Sequence, residues 1–173
     1  MSRQLHISNK IFSLRDRMLV SDSSSNVVYE AAGDFTLFRS TWRVYKRGTQ
    51  VAVIKHKIFS LSSTWLISGS LGEFKIRRKI LSFTRSYKVI GGVFDGALIS
   101  GSLLGFTFEI IRNQKTIASA HEKILSLRDS YSIDILSENP DDELLTIISL
   151  VALRLDKANE QKAETREHQD QSR

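Results

Sequence analysis

The spacing of hydrophobic and polar residues changes once along the chain, near Pro140. Before it, short apolar runs alternate with polar residues, which is typical of β-strands with one buried face. From Leu144 to Leu155, nine of the twelve residues are apolar, all but Thr146, Ser149 and Arg154. At 3.6 residues per turn they cover every side of a helix, so the helix must be enclosed. The pattern predicts many strands and then one buried helix.

The predicted helix has a clear start and is too short to cross a membrane. Asn139 is a good N-cap, and Pro140 suits the first helical position. Asp141, Asp142 and Glu143 suit the positive end of the helix dipole. A transmembrane helix needs about 20 apolar residues, so this segment is expected to form a core helix surrounded by residues 1–140.

One phrase recurs four times and predicts hairpins. It begins at Lys10, Lys57, Lys79 and Lys123, as in Lys57-Ile58-Phe59-Ser60-Leu61. Each copy is followed by three polar residues and a second short alternating run, which is the pattern of two strands joined by a turn. Two degenerate units at 33–44 and 99–110 complete six hairpins, or about twelve strands.

The alternation within each unit predicts which side chains face the core. The predicted inward sets are Phe12, Leu14, Met18 and Val20; Phe59, Leu61, Trp65 and Ile67; Leu81, Phe83, Tyr87 and Val89; and Leu125, Leu127, Tyr131 and Ile133. Clusters of turn-forming residues separate the hairpins at 22–26, 47–49, 68–72, 91–96 and 113–115.

These elements predict a mainly β fold, a closed antiparallel barrel of about twelve strands around the C-terminal helix. Twelve tilted strands enclose a radius of about 11 Å, which leaves room for one helix. We expect a single domain over residues 1–157, with the central helix at 141–157. Residues 158–173 are almost without apolar side chains and are expected to form a disordered polar tail.

Charge is the strongest functional signal. The net charge is +6, and residues 39–88 hold twelve Lys and Arg against a single acid, Glu73. The chain has no cysteine, which excludes disulfides and thiolate chemistry and favours a reducing compartment. Without a signal sequence or an apolar span, we expect a cytoplasmic protein.

No pattern predicts catalysis or a cofactor. The histidines His6, His56, His121 and His168 lack metal-ligand spacing, and the carboxylates lack an acid–base partner. We therefore expect no enzyme activity, no metal and no cofactor. Nucleic acid is disfavoured as a partner because no aromatic residues are interleaved with the basic ones for stacking.

The repeated phrase and the Asp142-Glu143-Leu144-Leu145 helix resemble the LURP-one-related family over about Leu5 to Lys157. That family belongs to the tubby C-terminal-like superfamily, which also includes the phospholipid scramblases. The resemblance implies a twelve-stranded barrel around a C-terminal helix. Tubby domains bind phosphoinositides through basic side chains, whereas scramblases carry an acidic calcium-binding segment. Residues 109–134 show no comparable acidic cluster.

The leading hypothesis is a non-catalytic module that recognises anionic phospholipid or phosphoinositide headgroups, peripheral at a membrane, through the basic window 39–88. The candidate headgroup ligands are Lys55, Lys57, Lys75, Arg77, Arg78 and Lys79. One alternative is that these charges only keep the sheet soluble and that the chain is a protein-interaction scaffold. Scramblase-like activity ranks below both.

Overall fold

The fold is a closed barrel of twelve strands. The computed structural model describes residues 3–10, 17–34, 41–57, 59–80, 85–102, 107–121 and 130–171. The strands are β1 (Arg3–Lys10), β2 (Arg17–Ser21), β3 (Val27–Asp34), β4 (Thr41–Lys46), β5 (Thr49–His56), β6 (Thr64–Gly69), β7 (Gly72–Arg78), β8 (Ser86–Ile90), β9 (Leu98–Ser102), β10 (Thr107–Arg112), β11 (Lys115–His121) and β12 (Ser130–Ile135).

Every strand pairs antiparallel with its neighbours in the sequence, and the first strand pairs with the last. The β1–β12 pairing runs from Arg3 opposite Ile135 to Ser8 opposite Ser130 and closes the barrel. Closure leaves no unpaired edge on which another chain could add a strand. The predicted fold class is confirmed.

The turns between the predicted hairpins lie where the sequence placed them. Two are two-residue connections in which both residues have positive φ, at Arg47-Gly48 and at Asn113-Gln114. This backbone conformation matches the twist of the flanking antiparallel strands. In each hairpin the register then shifts once near the turn, between Val44 and Tyr45 of β4 and between Ile110 and Ile111 of β10.

The helix α1 (Pro140–Gln171) runs through the barrel. From Leu144 to Leu155 every residue is buried except Arg154, which is half-buried, and Ile148 has no exposed surface. The two buried hydroxyls are satisfied within the helix: Thr146 donates to the Asp142 carbonyl at 2.7 Å, and Ser149 donates to the Leu145 carbonyl at 2.8 Å. The predicted enclosure of this segment is confirmed.

Asn139 caps the helix as predicted. Its side-chain oxygen accepts a hydrogen bond from the Asp141 backbone N–H at 3.0 Å, and its carbonyl accepts one from Asp142 at 3.1 Å. These bonds satisfy N–H groups that have no partner inside the helix.

The helix is longer than the sequence pattern indicated. We expected it to end at Lys157 and a disordered tail to follow at 158–173, but the helix continues to Gln171. The apolar run ends at Leu155, and Glu160 still pairs with Arg78 and Arg85, so the helix leaves the barrel after Glu160. The extension is rich in Ala, Glu, Gln and Lys, which have high helix propensity, so the helix can continue in solvent.

The two rims of the barrel differ in what they present. We call the rim where α1 begins the lower rim and the rim where it leaves the upper rim. The turns after β2, β4, β6, β8 and β10 lie at the lower rim, and the connections after β5 and β7 lie at the upper rim.

The second copy of the repeated phrase does not lie in a strand as predicted. In the second copy, Phe59 and Leu61 were expected in the core, but they are 92% and 101% exposed. The strand before this copy ends at His56, so the phrase forms the connection to β6, and Ala52 and Ile54 supply the core positions of β5 instead. The prediction was wrong because the alternation of apolar and polar residues continues past His56. Alternation alone does not show where a strand ends and a connection begins.

The second runs of the units were predicted correctly wherever the structure describes them. The buried residues are Met18, Val20, Trp65, Ile67, Tyr87, Val89 and Ile133. The expectations for Phe12, Leu14, Leu81, Phe83, Leu125, Leu127 and the side chain of Tyr131 fall outside the described residues.

A chain truncated after Asn139 is expected not to fold. Burying the nine apolar side chains of the helix contributes on the order of 15–25 kcal/mol before ordering costs, more than the roughly 5–15 kcal/mol net stability of a typical domain. Thermal unfolding followed by circular dichroism should show no cooperative transition for this chain. A chain ending after Gln161, which keeps the helix contacts described below, is the control and should unfold cooperatively. A sharp native-like transition without the helix would contradict the account.

Candidate functional site

Strand register places most of the predicted headgroup ligands on one outer face. Lys55 of β5 and Lys75 of β7 both lie opposite Leu66 of β6, so the three occupy one row across the sheet. Adjacent strands are about 4.8 Å apart, which puts the backbones of β5 and β7 about 10 Å from each other. Both lysine side chains are exposed.

The next row towards the upper rim carries more cations. Arg77 lies opposite Thr64 on one side and Lys88 of β8 on the other. The Lys57 backbone N–H donates to the Thr64 carbonyl at 2.9 Å, which extends this row to the end of β5. Lys79 follows β7 at the rim, and its N–H donates to the Ser86 carbonyl at 2.8 Å.

We call this surface the basic face. It consists of six exposed cations: Lys55, Lys57, Lys75, Arg77, Lys79 and Lys88. Among the described residues none of the six has an ion-pair partner within 4.0 Å. The one acid in this part of the chain, Glu73, pairs in register with Ser68, on the lower-rim side of Lys75. The face therefore presents a field of one sign that a multivalent anion can neutralise.

Lys88 belongs to this face, although it was not among the predicted ligands. The signal was present in the sequence, since Lys88 lies between Tyr87 and Val89 and must point away from the core when they point into it. Both neighbours are fully buried.

Arg78 does not belong to this face. It lies opposite Tyr87, on the inward parity of β7, and its guanidinium reaches the end of the buried helix. There it hydrogen-bonds Glu160 and lies 3.7 Å from an Asp156 carboxylate oxygen. The structure therefore separates Arg78 from its neighbour Arg77, although the sequence grouped the two as headgroup ligands.

Buried carboxylates hold the helix at the upper rim. Asp156 is 2% exposed and accepts a hydrogen bond from the Tyr87 hydroxyl at 2.6 Å. Burial and this hydrogen bond raise the pKa of Tyr87 well above its ordinary value. Arg85 and Arg78 both donate to Glu160, one turn further along the helix.

The lower rim has an equivalent set of contacts. Glu143 accepts a hydrogen bond from the Tyr29 hydroxyl at 2.5 Å and forms an ion pair with Arg3 at 2.8 Å. Asp142 pairs with Arg112 at 2.7 Å and accepts a hydrogen bond from Ser137 at 2.6 Å. Because each of these buried carboxylates is fully engaged, they fix the helix along the barrel axis rather than offering an acid–base pair.

His56 faces inward and does not add charge to the basic face. Its ring lies 4.6 Å from the Trp65 ring, at the end of β5. Burial lowers the pKa of His56, and the negative charge of Asp156 opposes that shift in part. The neutral imidazole is therefore the favoured form at neutral pH.

The described residues include no cluster of three or more histidine or acidic side chains that could hold a metal ion. In the same part of the chain, no helical segment combines the length and the apolar character required to span a bilayer.

A comparison with protein-family models shows which family the chain belongs to. The model of the LURP-one-related family matches residues 3–154, from the first residue of β1 to the half-buried Arg154 of α1. The chain belongs to the LURP-one-related family. No curated protein and no solved structure matches it. The matched residues include the whole basic face. Asp156, Glu160 and the helix extension lie after the last matched residue.

Replacing two adjacent arginines should separate the helix contacts from the basic face. Arg78→Ala is expected to lower the free energy of unfolding by about 2 kcal/mol, because Asp156 stays buried with Tyr87 as its remaining partner. Arg77→Ala, on the exposed parity of the same strand, should change it by about 0.5 kcal/mol or less. Urea denaturation measures both, and equal effects would contradict the assignment of Arg78.

Proposed function

We propose that this LURP-one-related protein is a non-catalytic module that binds an anionic phospholipid surface through its basic face. The observation that carries the proposal is the set of six exposed cations on adjacent strands with no ion-pair partner among the described residues. A Lys or Arg close to an anionic membrane contributes about 1 kcal/mol, so several acting together suffice for reversible attachment.

Phosphoinositide headgroups are the ligand class we favour, because they place several negative charges within the span of two neighbouring strands. The resemblance to the tubby C-terminal-like superfamily, whose tubby domains bind phosphoinositides through basic side chains, supports this choice. The module would then act at the cytoplasmic surface of a membrane.

The non-catalytic part of the proposal is supported by the roles of the buried ionisable groups. Asp142, Glu143 and Asp156 are occupied by the contacts that hold α1. Such groups are unsuited to proton transfer because each would have to leave a buried partner to act.

A protein-interaction scaffold is the second candidate, and one observation favours it. Phe59 and Leu61 are almost fully exposed, and clustered exposed apolar side chains are common at protein interfaces. Sedimentation with vesicles distinguishes the two candidates, because only the first requires lipid-dependent pelleting.

Charge reversal on the basic face should weaken vesicle binding. The vesicles are phosphatidylcholine with about 20% phosphatidylserine or a few per cent phosphatidylinositol 4,5-bisphosphate. We expect Lys75→Glu with Arg77→Glu to weaken binding by about 30-fold or more. Two attractive contributions of about 1 kcal/mol each are lost, and the new carboxylates repel the anionic surface. Binding of the unaltered chain should fall steeply between about 0.1 M and about 1 M salt.

The matched control is Arg47→Glu with Lys115→Glu at the lower rim. Both double variants change the net charge from +6 to +2, so a difference between them reports position rather than total charge. The control should bind nearly as well as the unaltered chain. Equal losses in the two variants, or no pelleting of the unaltered chain with either anionic lipid at low salt, would overturn the proposal.

A further inference from the structure

Two connections at the upper rim present large apolar side chains to solvent. In the connection between β5 and β6, Phe59 and Leu61 are 92% and 101% exposed, and Ile80, after β7, is 70% exposed. Single exposed apolar residues are ordinary, but three of this size in neighbouring connections form a patch that calls for a partner.

The connections that carry these side chains are adjacent. The Arg78 backbone N–H donates to the Ser63 carbonyl at 2.9 Å, which ties the end of β7 to the β5–β6 connection. Within that connection, the Thr64 hydroxyl donates to the Ser62 carbonyl at 2.9 Å, and the Ser60 hydroxyl lies 3.3 Å from that of Thr64. These local bonds hold a turn from which Phe59 and Leu61 project.

The two connections that carry the apolar tips contain basic residues and no acid. In residues 57–63 and 79–85 the charged residues are Lys57, Lys79 and Arg85, of which Arg85 pairs with Glu160 of α1. Lys57 and Lys79 are exposed and belong to the basic face, so the tips and the cations form one continuous surface. Apolar side chains beside unpaired cations match the layers of an anionic bilayer, in which charged headgroups border the acyl chains.

We infer that Phe59, Leu61 and Ile80 enter the interfacial region of an anionic bilayer while the basic face lies on its headgroups. The inference rests on the proposed function and adds a hydrophobic component to it. Headgroup contact alone would leave these side chains in water, whereas insertion removes their apolar surface from it.

The helix extension sets the orientation of docking. Residues 158–171 continue the helix for about 21 Å at the upper rim and carry four acids against two bases. Glu160, the first of these acids, is held at the rim by Arg78 and Arg85, and the other three lie further along the helix. A barrel standing end-on would press this acidic extension against anionic lipid. The barrel therefore lies tilted, with the outer face of β5 to β8 towards the membrane.

Tryptophan reporters test insertion directly. Phe59→Trp adds one exposed indole to a chain whose own Trp42 and Trp65 are buried, so new changes in emission come from the added residue. On addition of phosphatidylcholine vesicles containing about 20% phosphatidylserine, the emission of the added indole should shift to the blue. When the phosphatidylcholine of these vesicles carries brominated acyl chains, the same emission should be quenched. Val93→Trp, at an exposed site on the lower rim, is the control and should do neither.

A second variant gives an independent measure that depends on salt. Phe59→Ser with Leu61→Ser should weaken vesicle binding about tenfold or more. The variant lacks the two apolar side chains whose transfer from water into the bilayer favours binding. The loss should be of similar size at about 0.1 M and about 0.5 M salt, whereas the loss caused by Lys75→Glu with Arg77→Glu should shrink as salt rises. Thermal unfolding of the serine variant should match that of the unaltered chain, because both replaced side chains are exposed.

The outcomes separate this inference from the proposed function. If the chain pellets with anionic vesicles but Phe59→Trp shows neither shift nor quenching, insertion is refuted and headgroup binding stands. If both tryptophan reporters respond alike, the proposed orientation is refuted. If the chain binds no vesicle and the serine variant instead abolishes self-association or binding to a protein, both are refuted and the scaffold candidate gains support.

Discussion

The structure depends on one constraint, a helix that is apolar on every side and cannot be left in water. Leu144 to Leu155 offer no polar face that could lie on a surface, so the strands must surround the helix. Twelve strands closing on themselves do this while also pairing every strand edge. The same closure that buries the helix therefore protects the barrel from edge-to-edge association.

Charged contacts at both rims add specific anchors to the apolar packing of the helix. Glu143 at the lower rim and Asp156 at the upper rim each hydrogen-bond a buried tyrosine and lie beside an arginine. Taking carboxylates out of water is costly, so these contacts serve position more than net stability. They also take Arg78 out of the set of cations available to a ligand.

The division of the cations follows from the two-residue period of the strands. Side chains of one parity in β7 face the helix and those of the other face solvent, so Arg78 anchors α1 while Lys75 and Arg77 form part of the basic face. The LURP-one-related barrel thus keeps its internal anchoring separate from its outer surface. Substitutions on the outer surface therefore leave in place the contacts that position the helix.

The sequence was sufficient to predict the barrel, the buried helix, its Asn139 cap and the turns at the lower rim, because each has a strong local signal. It was insufficient for Phe59 and Leu61, since alternation continued past the end of β5 and only pairing with β6 shows where the strand stops. Arg78 and Lys88 could have been assigned from parity with their buried neighbours. The Asp156 and Glu160 contacts could not, because they depend on how far the helix advances through the barrel.

Native-state hydrogen exchange of the helix amides tests the central claim most directly. If α1 is enclosed, the amides of Ile147, Ile148 and Val151 can exchange only when the barrel opens. Their opening free energy should therefore equal the global unfolding free energy measured by urea denaturation. Exchange of these amides through an opening of much lower free energy, while the amides of β6 stay fully protected, would contradict the enclosed helix.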